Sequence, residues 1–452
     1  MLQRVPQPFK PLQLGTDGFR DRAEYFDMQG LERMGHKIAQ SLPPNSTYIL
    51  GRDGRASGLE FQDALSRGIR TANRGIRIEY AGIIPTPLLS YMSANARIQG
   101  VMITASHNPA YDNGLKFFSN TGNKISREEE ARLKDAYNNQ DTILPYSSRE
   151  NRISIPRISD SLKEQYISQL KDILQESQFE GKVAIDCANG ATSEIGREIF
   201  SSTRRGLEFK LLANTPDGHN INEGCGVTNP QFLEQILTQG SYDLGISFDG
   251  DGDRMGLVDE RGRRIDGDFV LAYLATKLKE QGKLTNNGVV VTQYSNLALD
   301  SYLQNLGIEV QRVENGDKAV MEKLRANNWS FGGEHSGHII LDTTIGSGDG
   351  IRAATEILRN LDPLRPVSEQ FKLYTPNPQI QQSFKLDGRI GSIKELPQKV
   401  QDVIEQQKDI VEQKGGRILI RPSGTEPKLR VLVESGNNRL NKSVIHEISQ
   451  HL

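Results

Sequence analysis

The chain of 452 residues carries 55 Lys and Arg against 57 Asp and Glu, a formal net charge of −2, so it lacks the basic surplus that binding to duplex phosphates demands. No window approaches the 18 or so apolar residues of a membrane span, and the first ten residues hold no signal-peptide core. Two cysteines, Cys187 and Cys225, are too few for a disulfide framework. A cytoplasmic protein of about three or four domains is expected, at roughly 100–200 residues each. The 43 glycines point to tight turns or loops that approach ligands.

Apolar runs alternate with amphipathic stretches, the pattern of α/β units. Residues 47–50 predict a strand, followed by a Gly/Asp loop and a helix over 59–69. Residues 100–104 predict a short buried strand that runs into Ala105-Ser106-His107-Asn108-Pro109. The layout recurs with a strand at 182–186, Asn189-Gly190 and a helix at 194–200, and again with strands at 243–248 and 288–292. Boundaries are read at 138–160, around 259–268 and, most clearly, between Leu361 and Pro378, where successive prolines limit helix continuation. Beyond them Val400, Val403, Ile404, Ile410 and Val411 fit one helical face, with Gly415-Gly416 as the stop. Strands at 417–420 and 428–433 follow, the second with Leu429, Val431 and Val433 on one buried face.

Four stretches carry chemistry. Asp249, Asp251 and Asp253 fall directly after an apolar strand. Carboxylates so close repel one another, a cation relieves that cost, and Gly250 and Gly252 let the backbone turn them to one point. Glu260 stands twelfth, as an EF-hand requires, but Arg254 replaces the needed glycine and a strand leads in, which excludes that motif. A phosphatase with Asp249 as nucleophile stays open, although Asp253 stands where Thr or Val is expected.

Ser106 ends a buried strand before His107 and Asn108, as a nucleophile or phosphate carrier would; Ser106 and Asn108 capping a turn before Pro109 is the plainer alternative. Lys116 lies between Gly114 and Phe117-Phe118, where burial would lower its pKa toward acid–base range. Glu334, Ser336 and His338 sit on a Gly-bounded loop suited to sugar hydroxyls, and His335-x-x-His338 has no second ligand pair to make zinc. Arg421, Ser423, the Gly424 N–H and Thr425 could form an anion nest. No P-loop and no dinucleotide fingerprint is present.

In this order, and with Gly15-Thr-Asp-Gly-Phe-Arg20 at the start, these loops resemble the α-D-phosphohexomutase family from Gly15 to about Val433. The resemblance implies an α/β, four-domain architecture around a central cleft, three related mixed α/β domains and a smaller α+β one. It places a phosphoserine loop in 1–155, a metal loop in 156–256, a sugar loop in 257–368 and a phosphate loop in 369–452. The activity it implies interconverts hexose 6- and 1-phosphates through phosphoserine Ser106 and a bisphosphorylated sugar, which also serves as activator. One Mg2+ per chain would be held by Ser106, Asp249, Asp251 and Asp253. Lys116 would be the acid/base, Arg20 and His107 would steady Ser106, and His338 would lie beside the reacting end. Arg254, Glu334, Ser336, Arg421, Ser423, Gly424, Thr425 and Arg430 would bind substrate.

The partners implied are a phosphosugar and neither nucleic acid nor membrane, with a homodimer left open. Ser-Gly-Thr-Glu-Pro and Ala-Tyr-Asp-Asn-Gly look most like the glucosamine-phosphate group, with mannose or glucose phosphate as the alternative. His335, Asn315-Gly-Asp-Lys-Ala-Val320 and Gly346-Ser-Gly-Asp-Gly350 depart from the usual motifs. A sugar-phosphate sensor without turnover is the reading from a different class.

Overall fold

The computed structural model describes residues 10–12, 15, 17–144, 158–201, 206–388, 390–422 and 427–452. It divides into two compact units, Met1–Tyr294 with Ile308–Lys372, and Ser295–Gly307 with Leu373–Leu452.

Three sheets of the first unit share one plan. The first holds β1 (Phe19–Arg22), β2 (Thr47–Arg52), β3 (Arg77–Ile83), β4 (Gln99–Ile103) and β5 (Asp112–Phe118), in order β1-β5-β4-β2-β3. Strands β2, β3 and β4 are parallel, while β5 runs antiparallel to β4 and β1 antiparallel to β5. Its helices are α1 (Met28–Ser41), α2 (Gly58–Thr71), α3 (Thr86–Ala96) and α4 (Arg127–Asn138). The second part runs α5 (Ile158–Gln175), β6 (Gly181–Asp186), α6 (Thr192–Ile199), β7 (Leu207–Leu212), α7 (Pro230–Thr238), β8 (Leu244–Phe248), β9 (Met255–Asp259) and β10 (Arg264–Ile265), ordered β10-β9-β8-β6-β7.

The third runs α8 (Gly267–Glu280), β11 (Gly288–Thr292), α9 (Leu297–Asn305), β12 (Glu309–Val313), α10 (Asp317–Ala326), β13 (Phe331–Gly333), β14 (Ile339–Ile340), α11 (Gly350–Asn360) and α12 (Val367–Gln370), with sheet order β12-β11-β13-β14. Helix α9 belongs with the second unit.

Each of these sheets has three parallel strands and then an antiparallel neighbour of the third. The turns β4→β5, β8→β9 and β13→β14 therefore occupy the same place three times, at the carboxyl end of a parallel strand. Ligands of open α/β sheets gather at such ends. Ser106, the Asp triad and the 334–338 loop are those three turns.

The strands suit their burial: Val289, Val290 and Val291 of β11 and Ile246 of β8 are fully buried, as the inner strands of covered parallel sheets require. Helices α1 and α2 pack at glycine, since a Cβ on Gly68 would stand 1.8 Å from the Glu32 carbonyl oxygen.

The second unit carries an antiparallel sheet, β15 (Gln379–Lys385), β16 (Arg417–Pro422) and β17 (Lys428–Glu434) in order β15-β17-β16, with helices α13 (Gln398–Glu412) and α14 (Asn438–Ser449). Two sequence expectations need correction here. Ile410 is 37% exposed, because it sits about 100° around the helix from Val411, which with Val400 and Ile404 faces the core. Strand β17 is central, and Leu432 and Glu434, on the face opposite Val431 and Val433, are buried too. Glu434 accepts from Arg417 Nε at 2.9 Å, Gln379 Nε2 at 3.0 Å and the Leu297 N–H at 2.6 Å, so its carboxylate also caps the start of α9.

Candidate active site

Ser106 is fully buried and its Oγ donates to Asp249 Oδ2 at 2.7 Å, across 143 residues of chain. Its Oγ lies 3.3 Å from His107 Nδ1, which accepts from Arg254 Nη1 at 2.9 Å. Burial, joined by the Arg254 and Arg20 cations, pushes the His107 ring down to about 4, so it is neutral and the Nδ1 lone pair is free to accept.

The three aspartates of the β8→β9 turn place carboxylate oxygens within 4.8 Å of one another, all buried. Burial, then the charges of Asp253 and Asp251, hold Asp249 well above the usual carboxylate range. Asp251 Oδ2 accepts from Thr86 Oγ1 at 2.6 Å and Lys116 Nζ at 2.8 Å, and Asp253 Oδ2 from Lys116 Nζ at 2.6 Å. The other oxygens, Asp251 Oδ1 and Asp253 Oδ1, are buried without a hydrogen-bond partner. Buried carboxylate oxygens left bare are costly, and hard oxygen donors gathered at one point suit a divalent cation such as Mg2+.

Lys116 differs from expectation. It is buried, 1% exposed, and burial alone would lower its pKa, but Asp17 at 3.0 Å, Asp251 and Asp253 outweigh that and hold the ammonium well above its ordinary value. The sequence allowed for partial burial and hid the three carboxylates. Asp17 in turn is held well below the carboxylate range, because Lys116, Lys124 and Arg20 prevail over burial.

His338 Nδ1 lies 3.7 Å from Asp253 Oδ1 and its Nε2 3.3 Å from Asp317 Oδ2. Burial opposes a charge on the ring while Asp317 and Asp253 favour one; its Nε2 accepts the Gly348 N–H at 2.8 Å, which leaves the ring proton on Nδ1, on the side of Asp253. Lys124 bridges Asp17 and Asp317. A closed ring of alternating acidic and basic side chains results: Asp253, Lys116, Asp17, Lys124, Asp317 and His338, drawn from all three sheets' regions. The sugar-loop candidate Glu334 accepts the Gly316 N–H at 3.1 Å, and its backbone N–H binds the His338 carbonyl at 2.9 Å. Gly337 lets this loop dock on β9: its φ is +88°, and a Cβ would stand 1.9 Å from the Met255 carbonyl oxygen. The Met255 N–H donates to the Gly337 carbonyl at 3.0 Å.

Four family profiles match the chain in succession: phosphoglucomutase/phosphomannomutase alpha/beta/alpha domain I over residues 11–143, domain II over 164–262, domain III over 266–376 and the C-terminal domain over 385–451. The chain is 35% identical over 442 residues to a phosphoglucosamine mutase of Sulfurovum sp. strain NBC37-1, covering 96% of this chain and 97% of that one. It is 37% identical over 434 residues to a phosphoglucosamine mutase of Campylobacter hominis, covering 94% and 95%. The chain belongs to the phosphohexomutase family. Its fold is shared with a putative phosphomannomutase from Thermus thermophilus, at TM-score 0.74, 22% identity and coverage of 98% and 99%, and with the open form of a Paramecium phosphoglucomutase, parafusin, at TM-score 0.75, 19% identity and coverage of 99% and 97%.

This phosphohexomutase brings Ser106, His107, Lys116, Asp249, Asp251, Asp253, Arg254 and His338 into one cluster, buried except for the half-buried His107 and Arg254. Arg20 joins it through Asp17, to which its Nη2 donates at 2.9 Å, and does not hydrogen-bond Ser106. The Nε atoms of Arg20 and Arg254 are buried without a hydrogen-bond partner, donors left over for an anion. Arg421 and Arg430 lie in the second unit, paired in register across β16 and β17. Like charges directly opposite destabilise a sheet unless an anion joins them. Ser423, Gly424 and Thr425 lie outside the described residues. Ser336 is partly exposed on its loop. Glu260 accepts from the Ser368 N–H at 2.9 Å, consistent with its exclusion as a twelfth-position calcium ligand. Sequence reasoning missed Asp17, Arg55, Thr86, Lys124, Asn222 and Asp317; of these Asp17 and Asp317 stood inside stretches it had singled out, Gly15–Arg20 and Asn315–Val320.

Proposed function

We propose that this phosphohexomutase interconverts glucosamine 6-phosphate and glucosamine 1-phosphate. The substrate reading is supported by the names of its relatives, and the chemistry by one observation, the contact of Ser106 Oγ with the Asp triad that also holds Lys116. Phosphoserine Ser106 gives its phosphoryl group to a free sugar hydroxyl. The Ser Oγ–P bond breaks and the sugar O–P bond forms; the Lys116 ammonium gives a proton to the departing Ser106 Oγ and is reprotonated by the sugar hydroxyl. The bisphosphorylated sugar turns over and returns its other phosphoryl group to Ser106 by the reverse exchange, in which Lys116 protonates the departing sugar oxygen and takes up the Ser106 hydroxyl proton.

Asp249, Asp251, Asp253 and a phosphoryl oxygen on Ser106 would hold Mg2+, which would supply Lewis-acid neutralisation of that phosphate. Arg20, Arg254 and neutral His107 orient the phosphoryl group; their spare donors fit its oxygens. Glu334 and Ser336 read sugar hydroxyls beside His338. Arg421, Ser423, Gly424, Thr425 and Arg430 grip the phosphate that is not reacting. The proposed domains run 1–155, 156–256, 257–368 and 369–452.

The test is a mutase assay with glucosamine 6-phosphate, mannose 1-phosphate and glucose 1-phosphate, each primed with the matching bisphosphate. A kcat/KM at least tenfold higher for glucosamine phosphate supports the reading. Preference for either neutral sugar, or no turnover of any, overturns it.

A further inference from the structure

The phosphoserine loop keeps a shape that its own sequence resists. Ser106 has φ +54°, in the left-handed region that side-chain-bearing residues avoid. Such a conformation persists only where its surroundings over-determine it, and here they fasten the peptide on both sides. The Ser106 N–H donates to Thr104 Oγ1 at 2.8 Å, and Thr104 Oγ1 donates to Asp53 Oδ2 at 2.7 Å. The Ser106 carbonyl accepts from Arg55 Nη2 at 3.0 Å and Asn222 Nδ2 at 2.9 Å, and the Asn108 carbonyl from the same two atoms at 2.8 and 3.0 Å.

Arg55 is fully buried and every N–H of its guanidinium is used. Nε bonds Asp53 Oδ2 at 2.9 Å, Nη1 bonds the carbonyls of Asp112 at 2.9 Å and Pro109, and Nη2 bonds those of Ser106 and Asn108. Four of five donors thus end on the backbone of the β4→β5 turn. Neither Arg55 nor Asn222 bonds Ser106 Oγ. Asn222 comes from the second sheet's region and Arg55 from the β2–α2 turn, so the clamp ties the loop to both flanking regions.

We propose that Arg55, with Asn222, is a positioning residue of the phosphoryl transfer: the pair holds the Ser106 peptide left-handed, so that Oγ stays aimed at the Asp triad. The inference rests on the reading of Ser106 as the phosphoryl carrier. A planar fork of five donors is what the task requires; a lysine keeps the charge facing Asp53 but presents three donors from one point. Displacing a reacting atom by about 1 Å costs roughly 100-fold in rate.

The variants are Arg55→Lys and Asn222→Asp. The second keeps the size and the tolerance of positive φ at residue 222, whose φ is +60°, while replacing a donor by an acceptor against two carbonyls. Three quantities are measured: the rate at which glucose 1,6-bisphosphate phosphorylates Ser106, followed by mass; kcat and KM of the mutase reaction; and amide hydrogen exchange along the chain. The phosphorylation rate and kcat are expected to fall together by about 10- to 100-fold, with KM changed less than about threefold. Residues 104–112 should exchange faster while α1 and α2 do not. Loading within twofold of the parent in both variants overturns the proposal, as does a loss that follows uniformly faster exchange of the whole first unit. Should Arg55→Lys not fold, Asn222→Asp decides alone. If the parent chain acquires no phosphate on Ser106, the mutase reading fails instead, and the local exchange of 104–112 still tests the clamp.

Discussion

Replacing Lys116 by methionine tests the electrostatics of the site. Lys116 Nζ stands 2.6 Å from Asp253, 2.8 Å from Asp251 and 3.0 Å from Asp17, with the side chain almost wholly buried. Methionine fills similar volume and leaves three carboxylates facing one another without their shared cation. Breaking a buried ion pair on one side costs about 3–5 kcal/mol. At about 2–4 °C per kcal/mol, the first unit's melting temperature should drop by roughly 6–20 °C in magnesium-free buffer at pH 7. Mg2+ should restore part of the loss, about 2.7 kcal/mol at a hundred times its Kd, because a divalent cation neutralises the same oxygens. The deficit should shrink as pH falls below about 4. The depressed Asp17 and Asp253 carboxyls contribute stability above their unfolded pKa and lose it as pH falls through the folded one. Scanning calorimetry with and without Mg2+ reads all of this. A melting temperature within 2 °C of the parent, or a deficit that Mg2+ leaves untouched, would refute the reasoning.

Three further outcomes are expected. His107, pushed down to about 4, is neutral in the fold and titrates near 6.5 once unfolded, so the unfolded chain binds the extra proton between those values. Stability is then lost as pH falls from 6.5 toward 4, by up to about 3 kcal/mol, and His107→Gln should flatten that slope in urea titrations. Gly337→Ala must place a Cβ 1.9 Å from the Met255 carbonyl oxygen at a φ of +88°, which should lower kcat/KM at least about tenfold and cost about 2 kcal/mol or more in stability. Arg421→Ala should raise KM for the sugar phosphate by about 10-fold or more, in line with about 1.5–3 kcal/mol for a hydrogen bond to a charged group; an unchanged KM removes Arg421 from the phosphate site.

Legibility in the sequence followed the range of the interactions. The three turns that carry Ser106, the aspartates and Glu334 are contiguous stretches at strand ends, so short motifs exposed them. What the sequence concealed is long-range. Lys124 meets Asp317 across 193 residues and Thr86 meets Asp251 across 165, and no spacing encodes either. Asn222 spends its donors on backbone carbonyls and Arg55 four of its five, and carbonyls belong to every residue, so no side chain of the loop marks either one. The sequence leaves Lys116 open to partial desolvation, with a surface lysine as the alternative; it is buried, and the sign of its shift depended on which charges share its cavity. The kinship of the three sheets was legible, since the strand–loop–helix layout recurs and the family resemblance implied three related mixed α/β domains; their strand order and the antiparallel neighbour came from the structure. Ile410 and Leu432 were misplaced because apolarity fixes a preference for burial, whereas helix phase and a third strand decide it.

The most direct test follows one phosphoryl group. The chain is loaded from sugar bisphosphate carrying labelled phosphate, mapped by peptide mass analysis, and then chased with unlabelled glucosamine 6-phosphate. The expected result is label on the Ser106 peptide that leaves with the chase and appears in glucosamine phosphate. Label on Asp249, or label released only as inorganic phosphate, would contradict the account.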